Sequence, residues 1–152
     1  MLEEIPMLVN SEMNKELIKE VTKVEVKEAV FQLGAFKAPG PDGFSGVFYQ
    51  KCWGIVKEDV VRAVVSFFED GRMNNELNNT DVVLIPKMYG PEMVSHFRPI
   101  SLCNFLYKVI SKVMVNRLKH ILPHYISDSQ SAFVSGKLIT DNVLIVYELL
   151  HT

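Results

Sequence analysis

The chain has 152 residues, 48% hydrophobic and 22% charged, with a formal net charge of −2. Those figures describe an ordinary globular domain that can bury about 68–70% of its unfolded surface, and they exclude a disordered tail or a low-complexity linker. Two distant cysteines, Cys52 and Cys103, exclude a disulfide framework or a zinc knuckle.

No run approaches ~20 apolar residues and the N-terminus lacks a basic segment followed by an apolar one, so the expected protein is intracellular with no membrane partner. Whether it is nuclear or cytoplasmic stays open. Residues 1–21 read as a loose acidic lead-in, with one short helix around Lys15–Glu20. Thr22 and Glu25 have capping-box spacing, and Val26, Ala29, Val30 and Leu33 then form an apolar helical face, which Gly34 is expected to close. The segment from Ala35 to Phe44 carries two prolines and two glycines within five positions, the composition of a tight, ordered loop.

A second helix is expected from Ser45 to Cys52, with Phe48, Tyr49 and Trp53 in the core. A third follows from Lys57 to Asp70, burying Val60, Val61, Val64, Val65, Phe67 and Phe68 before Gly71 ends it. The aromatic residues here read as packing. Two β-type runs, Asp81–Pro86 and Phe97–Cys103, predict a hairpin connected by Met88–His96. A long amphipathic helix is expected from Asn104 to about Leu122. Leu106, Val109, Ile110, Val113, Met114, Leu118 and Ile121 mark its buried side; Lys108, Lys112 and Lys119 mark its wet side. His120 and His124 have helical spacing, but Pro123 stands between them and argues against a metal pair. A polar segment, Ser127–Gly136, leads to a last helix from Thr140 or Asp141 to the end.

The net charge hides an asymmetry. Residues 1–76 carry nine Lys/Arg and thirteen Asp/Glu, whereas residues 77–152 carry seven and five. Between Val82 and Lys137 seven cations face only Glu92 and Asp128, a local excess that can support a phosphate-facing surface. Within it, Lys87 and Arg98 each adjoin a proline at the end of a β-type run, eleven residues apart. Taken alone they are two exposed cations on a hairpin rim. Held on neighbouring strands, they form a clamp in which Arg binds two phosphate oxygens and Lys acts as a mobile point charge.

Four strings, in order, resemble the N-terminal part of reverse transcriptases of LINE-type (non-LTR) retrotransposons, the plant kind in particular. They are LGAFKAPGPDGFSGVFYQKCW (Leu33–Trp53), NTDVVLIPK (Asn79–Lys87), FRPISLCNFLYKVISKVMVNRLKHILP (Phe97–Pro123) and QSAFVSGKLITDNVLIVYELLH (Gln130–His151). The resemblance covers roughly residues 20–152. It implies a mostly helical α+β fold with a small β-hairpin, the fingers and start of the palm of a right-hand polymerase. On that reading residues 22–152 are a partial reverse transcriptase domain.

The resemblance also assigns roles. Lys87 and Arg98 correspond to the residues that contact the incoming nucleoside triphosphate, and phosphoryl transfer depends on such charge neutralisation. The Lys37–Gly43 loop and the Gln130–Lys137 segment match motifs that touch template or primer, through backbone amides, Lys37, Gln130 and Lys137. Related enzymes usually carry Arg at the Lys137 position, and Lys lacks its fork. Lys108 and Lys112 add charge to the same surface. The implied partners are an RNA template, a DNA primer and a deoxynucleoside triphosphate. Asp42, in a Pro-Asp-Gly turn, and Asp141, at a helix start, have structural explanations.

The family enzyme is expected to use two magnesium ions held by palm aspartates. No Asp-Asp pair occurs in the 152 residues. The chain is therefore expected to carry triphosphate and template contacts without a catalytic metal site, and to be silent in primer extension alone. The alternatives are a non-enzymatic RNA- or DNA-binding module and a non-functional retroelement relic.

Overall fold

The computed structural model describes residues 9–126, with Gln130, Thr140 and Tyr147 beyond them. Its elements are α1 (Ser11–Ile18), α2 (Lys23–Gln32), α3 (Gly46–Lys51), α4 (Trp53–Asp70), α5 (Asn75–Asn78), β1 (Thr80–Pro86), β2 (Phe97–Cys103) and α6 (Phe105–Leu118), with 3-10 turns at Val94–His96 and Leu122–His124. The described residues form a mostly helical α+β arrangement with one antiparallel sheet of two strands among them. Of the expected last helix only Thr140 and Tyr147 are described, both helical; its other residues and the Asp128, Lys137 and Asp141 positions lie outside the described residues.

The chain divides into two compact units, one of residues 19–116 and one combining residues 1–18 with 117–152. In the larger unit, Val26, Ala29 and Val30 of α2 and Val60, Val61 and Val64 of α4 meet Tyr49 of α3. Phe105, Val109, Ile110 and Val113 of α6 complete this core. Each set recurs at helical spacing, so one stripe per helix leaves water, at roughly 1.5–3 kcal/mol per large aliphatic side chain. Phe48, Trp53, Val65, Phe67, Phe68 and Leu106 are half-buried against it.

The predicted capping box of α2 is present. Thr22 Oγ1 accepts the Glu25 amide at 3.2 Å, and Glu25 Oε2 accepts the Thr22 amide at 2.9 Å. The expected closure by Gly34 is not. Leu33 caps the helix in an extended conformation, φ −74° and ψ 139°. Gln50 of α3 donates both amide hydrogens, to Val30 O and Leu33 O at 2.9 Å, so a distant side chain replaces the glycine cap.

Helix α4 begins at Trp53, four residues before the expected start. Cys52 serves as the C-cap of α3 and the N-cap of α4, leaving no linker for a turn signal to mark. Gly54 lowers local helix propensity, but Trp53 packs edge-on against Phe31 with centroids 6.1 Å apart and anchors the first turn. Gly71 ends α4 as predicted, at φ 65°. The short α5 was not anticipated; it has no apolar stripe of its own.

In the larger unit Met114 is exposed although the periodicity assigned it to the buried side of α6. Leu118 is exposed too, in the smaller unit, where Ile121 is buried. The helix stops at Leu118 and not at Leu122, because Pro123 has no amide hydrogen and its ring would meet a carbonyl one turn back in a continued helix. Also in the smaller unit, α1 starts at Ser11 and ends at Ile18, earlier than the expected Lys15–Glu20. Asn10 Oδ1 accepts the Met13 amide at 2.8 Å and sets that start. Arg117 Nη1 donates to Leu17 O at 2.9 Å near its other end. No helix among the described residues is long and apolar enough to cross a membrane.

Candidate nucleic-acid interface

Strand β-propensity and a positive-φ turn build the hairpin. The run Val82-Val83-Leu84-Ile85 favours a pleated backbone, and Gly90, at φ 62°, lets the connection reverse. Thr80 pairs with Cys103, Ile85 with Arg98 and Pro86 with Phe97. The ladder continues one step further, with the Lys87 amide donating to His96 O at 2.8 Å. Side chains alternate along a strand, so Lys87, Ile85 and Arg98 belong to one face, with Lys87 diagonal to Arg98. The connecting turn is internally held, because His96 Nδ1 accepts the Glu92 and Met93 amides at 3.2 and 3.4 Å.

The two predicted clamp cations differ in their commitments. Lys87 Nζ donates to Ser95 O at 2.9 Å, which fixes the ammonium over its own turn and leaves further donors for a ligand. The Arg98 side chain is exposed and has no hydrogen-bond or ion-pair partner among the described residues. Every residue of β1 is exposed, so the face is open.

A second group of predicted residues gathers at the base of the hairpin. Asn104, one residue past β2, is only 1% exposed. Its Oδ1 accepts the Asp42 amide at 3.1 Å, and its Nδ2 donates to Glu76 O at 2.9 Å and Leu77 O at 3.3 Å. One side chain thus ties the Ala35–Phe44 loop, α5 and the start of α6. Gly40 lies so close that an added Cβ would stand 2.4 Å from the Asn104 amide nitrogen and 2.5 Å from the Cys103 carbonyl carbon. Lys108, one helical turn after Asn104, donates to Ala38 O at 3.0 Å.

These contacts bear on two expectations. Lys108 clamps the loop in addition to any nucleic-acid contact. Four of the eight amides in Ala35–Phe44 are also spent inward: Lys37 N–H goes to Gly34 O, Asp42 N–H to Asn104, Gly43 N–H to Gly40 O and Phe44 N–H to Asp42 Oδ1. Those of Ala35, Phe36, Ala38 and Gly40 have no such acceptor among the described residues and stand beside Lys37 as the loop's outward chemistry. Lys37 is exposed, its stem beside Gly34. Lys112 is half-buried, Gln130 is exposed outside any helix or strand, and Lys137 lies outside the described residues.

The site is therefore two groups. Arg98 and Lys87 stand near the hairpin tip; Lys37 and Lys108 stand at the loop by its base. Five residues of strand separate Arg98 from Cys103, about 17 Å at ~3.4 Å each. No local signal marks the role of Asn104, whose buried contacts come from residues 27 to 62 positions away. Nor does one single out Phe36 and Tyr89, which are 93% and fully exposed.

Beside this surface, Tyr49 stacks on Phe105 at 4.7 Å and 14°, and burial together with the nearby Asp42 carboxylate pushes its phenol up to about 12. Glu58, on the opposite charge pattern, is held below the usual carboxylate range by its hydrogen bond and ion pair with Lys23 at 2.8 Å. Among the described residues no three His, Cys, Asp or Glu side chains converge as a metal site.

No protein-family model matches the chain. It is 32% identical over 144 residues, 94% of its length, to an uncharacterised 149 kDa protein of transposon TX1 from Xenopus laevis, of which it spans 11%. It is 28% identical over 120 residues, 77% of its length, to a retrovirus-related Pol polyprotein from the type-1 retrotransposable element R1 of Bradysia coprophila, of which it spans 12%. The chain is a relative of proteins encoded by transposable elements and spans about a tenth of the length of either.

Proposed function

We propose that the chain is part of an RNA-directed DNA polymerase of the non-LTR retrotransposon type, contributing phosphate contacts from its fingers. In this reading Arg98 and Lys87 hold the triphosphate of the incoming nucleotide, and the Lys37 loop, Lys108 and Lys112 contact template and primer; the resemblance gives Gln130 and Lys137 the same kind of role. The observation that carries it is the Arg98 guanidinium, without a partner among the described residues, on the same hairpin face as a pre-positioned Lys87 ammonium. A guanidinium fork can meet two oxygens of one phosphate, and a fixed ammonium adds charge with little further ordering cost. The relationship to a retrotransposable-element Pol polyprotein supports the same reading.

The experiment is calorimetric titration of the chain with a deoxynucleoside triphosphate. Charge-assisted hydrogen bonds contribute roughly 1.5–3 kcal/mol each. Arg98→Ala is therefore expected to weaken binding by about tenfold or more, with Arg98→Lys intermediate. Equal affinity in wild type and Arg98→Ala contradicts the assignment.

A further inference from the structure

Phe36 and Tyr89 differ from the other described aromatic residues. Phe36 is 93% exposed and Tyr89 is fully exposed, whereas the next most exposed aromatic residue described, Tyr147, is 59%. Phe31, Phe44, Phe48, Tyr49, Trp53 and Phe105 all make ring contacts; Phe36 and Tyr89 make none among the described residues. Neither ring contributes to the core, so folding does not explain them.

Each stands on ordered backbone beside a predicted phosphate-binding lysine. Phe36 lies between Ala35, whose carbonyl accepts the Val47 amide at 3.0 Å, and Lys37, whose amide donates to Gly34 O. Tyr89 precedes Gly90 in the turn that His96 holds, two residues from Lys87. There it helps line a shallow, open depression of about 470 Å³ with Pro86, Met88 and Pro91. A cation that meets a phosphate and a ring that meets the adjacent base are the two parts of a single-strand binding surface. A pre-fixed backbone lowers the ordering cost of using them.

We propose that Phe36 and Tyr89 are base-stacking residues for single-stranded nucleic acid. The proposal rests on the reading that Lys37 and Lys87 face nucleic-acid phosphates, and extends it to unpaired bases. The loop touches the base of the hairpin and Tyr89 lies beyond its tip, a strand of seven residues away, about 20 Å. The two rings therefore act on different nucleotides of one strand, and their effects should add.

The test measures fluorescence anisotropy of a labelled oligoadenylate of about a dozen nucleotides against an abasic strand of equal length, using the full chain. Phe36→Ala and Tyr89→Ala should each weaken oligoadenylate binding about tenfold, within the roughly five- to 150-fold that one base–aromatic stack contributes. Neither should change abasic binding or the melting temperature, and Phe36→Trp and Tyr89→Trp should retain affinity. Unchanged oligoadenylate binding, or equal losses with both strands, overturns the stacking role alone. A wild-type chain that binds neither strand overturns it together with the phosphate reading.

Discussion

Asn104 is the one buried polar residue among those described, and three segments depend on it. Replacing it with Leu would leave the Asp42 amide without its acceptor and the Glu76 and Leu77 carbonyls without their donor. Unsatisfied buried groups cost about 1–3 kcal/mol each. Asn104→Leu is thus expected to lower unfolding free energy by about 2–4 kcal/mol in urea titration. Gly40→Ala should destabilise comparably, since its Cβ would strike backbone that cannot swing aside. The two losses should fall short of additive, because both release the same loop. Tyr49 gives a pH-dependent counterpart. Its folded pKa of about 12 exceeds the ordinary 10, so between those values the unfolded chain loses a proton that the folded chain retains. Stability should fall as pH rises from about 10 to 12, by roughly 2–3 kcal/mol, and Tyr49→Phe should flatten that decline in alkaline melts.

Among the elements, the hairpin is the weakest by construction. A two-stranded sheet with little buried surface is marginal in water, and Val82, Val83, Leu84, Ile85 and Ile100 are all at least 40% exposed. Amides of β1 and β2 should exchange with deuterium well ahead of those of α6, whose Val109, Ile110 and Val113 are in the core; equal protection would contradict this. The hairpin was legible in sequence because β-branched runs and a Gly-Pro connection are local signals. So were the Thr22–Glu25 box and the Gly71 stop. The missed features depend on distant partners: Gln50 closing α2, Asn104 supporting α5, and the abrupt α3–α4 junction at Cys52. Periodicity likewise placed Met114 and Leu118 on a buried face without knowing how far α6 is covered.

At the scale of the whole molecule, the residues proposed to face phosphate were singled out by their flanking strings, but their commitments were not. Only three-dimensional geometry separates Arg98, with no partner among the described residues, from Lys108, which holds Ala38 O. What the geometry supports is that the face of the hairpin carrying Arg98 and Lys87 binds phosphate. The most direct measurement is the salt dependence of triphosphate affinity for wild type, Arg98→Ala, Lys87→Ala and a control, Arg62→Ala, whose side chain pairs with Asp59 on α4. Wild type and the control should weaken alike as salt rises, while both hairpin variants should bind about tenfold or more weakly with a shallower salt response. Identical curves for all four proteins would contradict this.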